Sequence, residues 1–321
     1  MSKEIIIQTK NLTKYYGKSR GIENLNLEIY KGEIFGLLGP NGAGKTTTCR
    51  LFLDLIYKTS GTAKIFNLDT HHHSTKIRQR TAYLPGELGL YQNKTARRNL
   101  QYLLGLYENH IPLRRIEELA KTFGLDLDRK VKELSKGNKQ KVGIILALAP
   151  KVELLIMDEP TSGLDPLITA EFYNILRKQQ EETGATVLLS SHLLSEVEKV
   201  AHRVGIIREG SIVEVATIQD LKNMAMKEIR VEFETKTALE NFSKNLPTKI
   251  VESVLLGENY TSIMVSREEL SKIFNLLSQS DIIDVDVTSP ALEDIFLKYY
   301  KTSSTPINSR DIHKNKIEVK T

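Results

Sequence analysis

Lys45 and Thr46 close the run Gly39-Pro40-Asn41-Gly42-Ala43-Gly44-Lys45-Thr46, and residues of these types at this spacing suit one chemistry, the grip of a phosphate. Glycine has no Cβ and takes backbone angles closed to other residues, so successive N–H groups can curl around an anion at a helix N-terminus. Lys45 brings a positive charge to the β- and γ-phosphates of a nucleotide, and the Thr46 hydroxyl offers Mg²⁺ an oxygen. The motif works only with a strand before it and a helix after it. Both are expected here, from the apolar run Ile34 to Leu38 and the helix-compatible segment Thr47 to Ile56.

A second group of reactive side chains follows downstream. Glu153 to Glu159 reads as a buried strand ending in two acids. Beside a phosphate loop that is the Walker B arrangement, in which Asp158 holds the Mg²⁺ shell and Glu159 reaches the attacking water. Two carboxylates at a strand end are too costly to bury without a cation or hydrogen bonds, so packing alone explains them poorly. Val187-Leu188-Leu189 is another buried strand and runs into Ser190-Ser191-His192. A histidine there is either structural or, beside a γ-phosphate, a donor. Tyr15-Tyr16-Gly17 supplies an aromatic ring able to stack on adenine. Asp165-Pro166 reads as an N-cap and a first-position proline starting a helix over 167–182. His71, His72 and His73 point in different directions and read as a solvated loop. Cys49, the single cysteine, is expected to be a small buried residue and no nucleophile.

These groups need a scaffold, and the hydrophobic pattern supplies one. Ile5 to Ile7 and Ile22 to Ile29 alternate like antiparallel strands, while Ile34 to Leu38 is apolar throughout, as a strand covered on both faces should be. Further strands are expected at Thr62 to Phe66 and ending at Leu84. From Thr95 to about Ala149 the pattern is helical, with Pro112 as the first-turn proline of Leu113 to Phe123, and then strands resume. The helical stretch, about 86–150, therefore inserts between parts of one sheet in a domain spanning 1–224. Residues 225–300 read as βαββαβ, a small ferredoxin-like α+β domain with a capping box at Ser266 and Glu269. A last helix after Ser289-Pro290 carries an apolar stripe, Leu292, Ile295, Phe296 and Tyr299, expected to pack on its own domain.

With 321 residues, 40% hydrophobic and 26% charged, the chain can fill about two cores. No run is long and apolar enough for a membrane span, and the start MSKEIIIQTK lacks a signal-peptide core. The expectation is a chain that neither crosses a membrane nor is secreted unaided. Net charge is +5, and the tail 301–321 holds five Lys/Arg against two acids. The tail reads as a solvated disordered end and the body as near neutral, which argues against a nucleic-acid footprint.

Taken in order, Gly39 to Thr46, Leu134-Ser135-Lys136-Gly137-Asn138-Lys139-Gln140, Leu154 to Glu159, Ser162 to Asp165 and His192 make residues 4 to about 224 resemble an ABC-family ATPase subunit. The resemblance implies an α/β phosphate-loop NTPase fold with a RecA-like core sheet, an antiparallel β subdomain and the helical insertion. It implies that ATP and Mg²⁺ are bound. Tyr16 stacks on adenine, Gly39, Pro40, Asn41, Gly42, Ala43, Gly44, Lys45, Thr46 and Thr47 cradle the phosphates, and Thr46 and Asp158 serve Mg²⁺. Glu159 polarises water and His192 contacts the γ-phosphate. Ser135 and Gly137 meet the γ-phosphate held by an opposing subunit, and Asp165 lies across that interface. Partners implied are a membrane-spanning permease, docked near 86–130, and a second ATPase copy, as a homodimer or with a paralogue. The location implied is the cytoplasmic face of the membrane, and the work implied is export of a drug, peptide or lipid-linked molecule. A nucleic-acid or ribosome-acting relative and a purely regulatory ATPase are the rival readings. Two departures stand out. Pro85-Gly86-Glu87 occupies the loop where the family carries Gln, so that either Glu87 replaces it from one residue along, the expectation here, or the function is met otherwise, and Lys136 stands where the signature often has Gly.

Overall fold

The computed structural model describes residues 4–108, 110–224, 227–246, 251–257 and 259–288. They fall into two compact units, one ending at Ile218 and the other starting at Gln219. The expected helix with Leu292, Ile295, Phe296 and Tyr299 and the tail 301–321 lie outside the described residues.

The first unit opens with β1 (Ile5–Tyr16) and β2 (Ser19–Tyr30), which pair antiparallel. The alternation that predicts a strand over Ile5 to Ile7 breaks soon afterwards, yet the strand continues to Tyr16. Irregular steps in the register between Thr9 and Leu12 and between Leu12 and Lys14 keep Leu12 buried, and Asn11 takes φ 49° within this stretch. Such bulges hide a strand from a strict period-two reading. Then come β3 (Ile34–Leu38), α1 (Lys45–Phe52), β4 (Ser60–Ile65), β5 (Leu68–Asp69), α2 (Ser74–Gln79) and β6 (Thr81–Leu84). The insertion follows as α3 (Ala96–Leu104), α4 (Leu113–Thr122) and α5 (Lys136–Leu148). Pro112 is the N-cap of α4 and not its first helical residue, because its ψ of 136° is extended. The unit continues with β7 (Leu154–Asp158), α6 (Pro166–Thr183), β8 (Thr186–Ser191), α7 (Leu194–Val197), β9 (Arg203–Arg208) and β10 (Ser211–Thr217). The helix α8 (Ile218–Met224) starts at the junction.

Two sheets result. The antiparallel one runs β2-β1-β4-β5, and the larger one runs β10-β9-β3-β8-β7-β6. Within the larger sheet β9, β3, β8, β7 and β6 are parallel neighbours and only β10 is antiparallel. Every residue of β3, β7 and β8 is buried, which is why each shows an apolar run, at Ile34–Leu38, Leu154–Met157 and Val187–Leu189. β6 and β7 are sheet neighbours although α3, α4 and α5 lie between them in sequence, so the helical stretch is an insertion as expected. The main core joins both sheets to α1 through Ile7 and Leu25 of the antiparallel sheet, Phe35, Ile156 and Ile207 of the larger one, and Phe52.

The second unit holds β11 (Lys227–Phe233), α9 (Lys236–Asn245), β12 (Val251–Leu256), β13 (Tyr260–Val265), α10 (Leu270–Leu277) and β14 (Ile282–Thr288). This is the βαββαβ order, and its sheet runs β12-β13-β11-β14 with antiparallel pairs throughout. Ile229, Val231, Phe233, Leu239, Phe242, Ile263 and Ile273 form a separate core.

Candidate functional site

The phosphate-loop residues, Asp158-Glu159 and His192 all leave the C-terminal ends of strands that are neighbours in space. β8 lies between β3 and β7, so loops far apart in sequence open into one crevice, where parallel α/β sheets place their ligands. Gly42 takes φ 81° and Gly44 takes φ 110°. A Cβ on Gly44 would also stand 2.8 Å from the Gly21 carbonyl oxygen, so no other residue fits there. Gly44 caps α1, whose first turn carries no acid, and the positive helix end faces the loop unopposed.

Lys45 is 5% exposed. Its Nζ donates to the carbonyl oxygens of Gly39 at 2.6 Å and Pro40 at 3.1 Å. The same atom lies 3.1 Å from Glu159 Oε1 as an ion pair. That approach is off the line of a hydrogen bond, which leaves Oε1 buried without a donor. On the other side of the carboxylate, His192 Nδ1 lies 2.7 Å from Glu159 Oε2. Lys45, Glu159 and His192 are thus one contiguous cluster. Glu159 sits at φ 50°, a left-handed angle rare outside glycine. Holding it there costs on the order of 1–3 kcal/mol, and its flanking polar groups are tied down. Its N–H donates to Ser190 O at 3.2 Å and to Ser190 Oγ at 3.1 Å, while Gln140 Nε2 donates to the Pro160 carbonyl at 2.8 Å.

Asp158 is fully buried, and its Oδ1 accepts from Ser190 Oγ at 2.6 Å. Its Oδ2 is buried with no hydrogen-bond partner. A buried, orphaned carboxylate oxygen is the feature a cation would satisfy. The described residues include no group of three His, Cys, Asp or Glu able to hold a metal. One carboxylate and one hydroxyl suit Mg²⁺, which takes most of its ligands from phosphate and water. A Cβ on Gly86 would stand 3.4 Å from Asp158 Oδ2, whereas Glu87 is exposed. The loop that departs from the family pattern therefore runs past the acid.

Tyr16 lies beside α1. Its hydroxyl is 3.5 Å from Thr47 Oγ1, Lys14 Nζ stands 5.0 Å from the centre of its ring, and the residue is 45% exposed. Ser135 and Asp165 are not bonded into the Lys45 cluster. Each is exposed and caps its own helix, Ser135 accepting from Asn138 N–H at 3.3 Å and Asp165 from Ile168 N–H at 2.9 Å. Neither bonds to Lys45, Glu159 or His192. Gly137 has an intrachain reason to lack a side chain, because a Cβ there would lie 2.7 Å from the Gly163 carbonyl oxygen. Burial pushes the Cys49 thiol well up, which keeps it unreactive. His71 Nδ1 lies 3.0 Å from Asp54 Oδ1 and His72 Nδ1 3.4 Å from Asp69 Oδ1, so two of the three loop histidines are paired with carboxylates.

Sequence reasoning did not single out Ser190, Ser191 and Glu196, and read Gln140 only as part of a motif. Ser190 and Ser191 carry a weak signal, since two adjacent serines end a fully buried strand.

The family model described as ABC transporter matches residues 22–162. The bacitracin transport ATP-binding protein of Bacillus licheniformis is 33% identical over 313 residues, covering 91% of this chain and 96% of its own length. The Enterococcus faecalis protein of the same name is 39% identical over 223 residues, covering 69% and 72%. A solved ATP-binding cassette, a dimer in a post-hydrolysis state bound to ADP and Pi, superimposes with a TM-score of 0.61 at 27% identity. It covers 66% of this chain and 99% of that one. Crevice, motif order and likeness over nearly the whole length agree: the chain belongs to the ABC transporter family as an ATP-binding ATPase subunit.

Proposed function

We propose that this chain is the motor of an exporter in which two copies close face to face on two ATP molecules, and that a separate membrane-spanning partner carries the cargo. One observation supports it above the rest. The chain gathers Lys45, Glu159 and His192 into one cluster, yet leaves Ser135 and Asp165 exposed with only helix-capping bonds. Surfaces separated in one copy can meet across two. The loop from Gly39 to Thr47 and Lys45 then hold the triphosphate on one side while the partner copy's signature serine closes the other, with Tyr16 against the adenine.

Thr46 and Asp158 would hold Mg²⁺, which when bound neutralises charge on the phosphate oxygens. Glu159 orients and deprotonates the attacking water, and His192, held against Glu159, faces the transferred phosphate. Cleavage removes the bridging γ-phosphate and lets the copies part. Among the described residues no helix is long and apolar enough to cross a membrane, and in this reading the membrane path belongs to a permease docked on the insertion. The insertion offers Tyr91 and Tyr102, packed edge to face at 5.5 Å, and Leu106, all exposed. The likeness to bacitracin transport ATP-binding proteins supports the reading as transport; export and a place at the cytoplasmic face of the membrane are part of the proposal.

The test is Glu159→Gln. Removing the general base should slow hydrolysis by about 10²-fold to 10⁴-fold while ATP still binds, so the variant should collect as a closed dimer on size exclusion with ATP and magnesium. Normal turnover in that variant would remove Glu159 from its assigned role.

A further inference from the structure

We propose that Glu196 is a positioning residue for hydrolysis, clamping the segment just past Glu159 to the segment just before His192 so that the two side chains stay in register. The inference rests on the assignment of Glu159 and His192 as the hydrolytic pair.

Glu196 lies on the short helix α7 and touches neither of them. Its Oε2 accepts from Thr161 Oγ1 at 2.8 Å and from Ser191 Oγ at 2.9 Å. Thr161 stands two places beyond Glu159 and Ser191 one place before His192, and both are buried. Ser191 Oγ in turn accepts from the Leu193 N–H at 3.0 Å, fixing the far side of His192. A single carboxylate oxygen thus joins the loop that leaves β7 to the last residue of β8. Hydroxyl bonds to an ionised oxygen are shorter and stronger than neutral ones, so the join is stiff. Upstream, Ser190 makes the matching tie, donating to Asp158 and accepting from the Glu159 N–H. The 2.7 Å contact between Glu159 and His192 is therefore bracketed by one hydroxyl tie on each side. Without the downstream tie the loops can slip, and a misplacement of about 1 Å in a reacting group costs on the order of 10²-fold in rate.

The experiment measures steady-state ATP hydrolysis by the purified full chain with magnesium, for the wild type, Glu159→Gln, Glu196→Ala, Glu196→Gln and the double variant Thr161→Val with Ser191→Ala. Glu196→Ala should lose about 10-fold to 100-fold in kcat while KM for ATP moves by less than about 3-fold. Glu196→Gln keeps an acceptor oxygen and should recover most of the loss. The Thr161/Ser191 variant removes the same bonds from the other end and should match Glu196→Ala, which keeps the test decisive if that variant folds poorly. In a His192→Ala background the Glu196→Ala step should shrink to under about 2-fold, as coupled residues require. If the wild type hydrolyses ATP, Glu159→Gln does not, and Glu196→Ala turns over normally or loses activity additively with His192→Ala, the clamp is refuted and the hydrolytic pair stands. A wild type without ATPase activity, or an active Glu159→Gln, would overturn the pair and the clamp with it.

Discussion

Replacing Gln140 by Leu tests whether the helix that carries the signature also holds the catalytic loop in its strained shape. Gln140 is 6% exposed, and its Nε2 donates to the Pro160 carbonyl at 2.8 Å and reaches the Glu159 carbonyl at 3.4 Å. Leucine keeps the side-chain volume and removes only the donor. The Pro160 carbonyl is then left buried without a partner, which costs about 1–3 kcal/mol. In a domain of this size that corresponds to a fall in Tm of roughly 2–10 °C. The same bond restrains the exit from Glu159, held at φ 50°. Relaxation of that residue toward ordinary angles would turn its carboxylate away from His192 and Lys45, so kcat should fall about 10-fold or more. Differential scanning fluorimetry and steady-state ATPase assays on the same preparation read both effects. A variant that melts early yet turns over at the wild-type rate would show that Gln140 serves stability alone and that the strained angle at Glu159 does not depend on it.

Gly137→Ala separates two expectations by sign. Helix propensity alone predicts stabilisation of about 0.5–1 kcal/mol. The 2.7 Å approach of its Cβ to the Gly163 carbonyl oxygen predicts a loss of about 1–3 kcal/mol, and urea melts decide between them. Glu87→Ala asks whether this acid serves in place of the family's Gln, with a lowered ATPase rate expected and an unchanged rate removing it from the mechanism. The Arg80 guanidinium hydrogen-bonds Glu153 and holds its carboxyl below the usual range. A depressed carboxyl stabilises the fold above the unfolded pKa of about 4.3 and loses that contribution as pH falls through the folded value. The pair is largely exposed, so its worth stays below about 1 kcal/mol. The stability gap between wild type and Glu153→Gln should accordingly close as pH drops below about 4, and a gap that widened in acid would refute the sign.

Much of the fold shows in short stretches of the chain. The strands β3, β7 and β8 announce themselves because both faces are covered, so their central residues form an unbroken apolar run and polar groups enter only toward the ends. The Asp165-Pro166 pair marks the start of α6 because capping is settled within four residues, and Asp165 does accept from Ile168 N–H. The extension of β1 to Tyr16 was hidden, since its bulges break the alternation on which a strand reading depends.

The site divides along the same line. The chain's own order of residues determined the phosphate loop, the two acids and the helix caps, because each is a matter of neighbouring backbone angles and side chains. The tertiary structure decided that β8 enters between β3 and β7. That insertion sets His192 against Glu159, Ser190 under Asp158 and Glu159, and Glu196 between Thr161 and Ser191. The order of strands decides those hydrogen bonds, and no periodicity in the chain records it: Gln140 reaches Pro160, and Gly137 lies against Gly163, because parallel strands bring distant loops to one edge of the sheet.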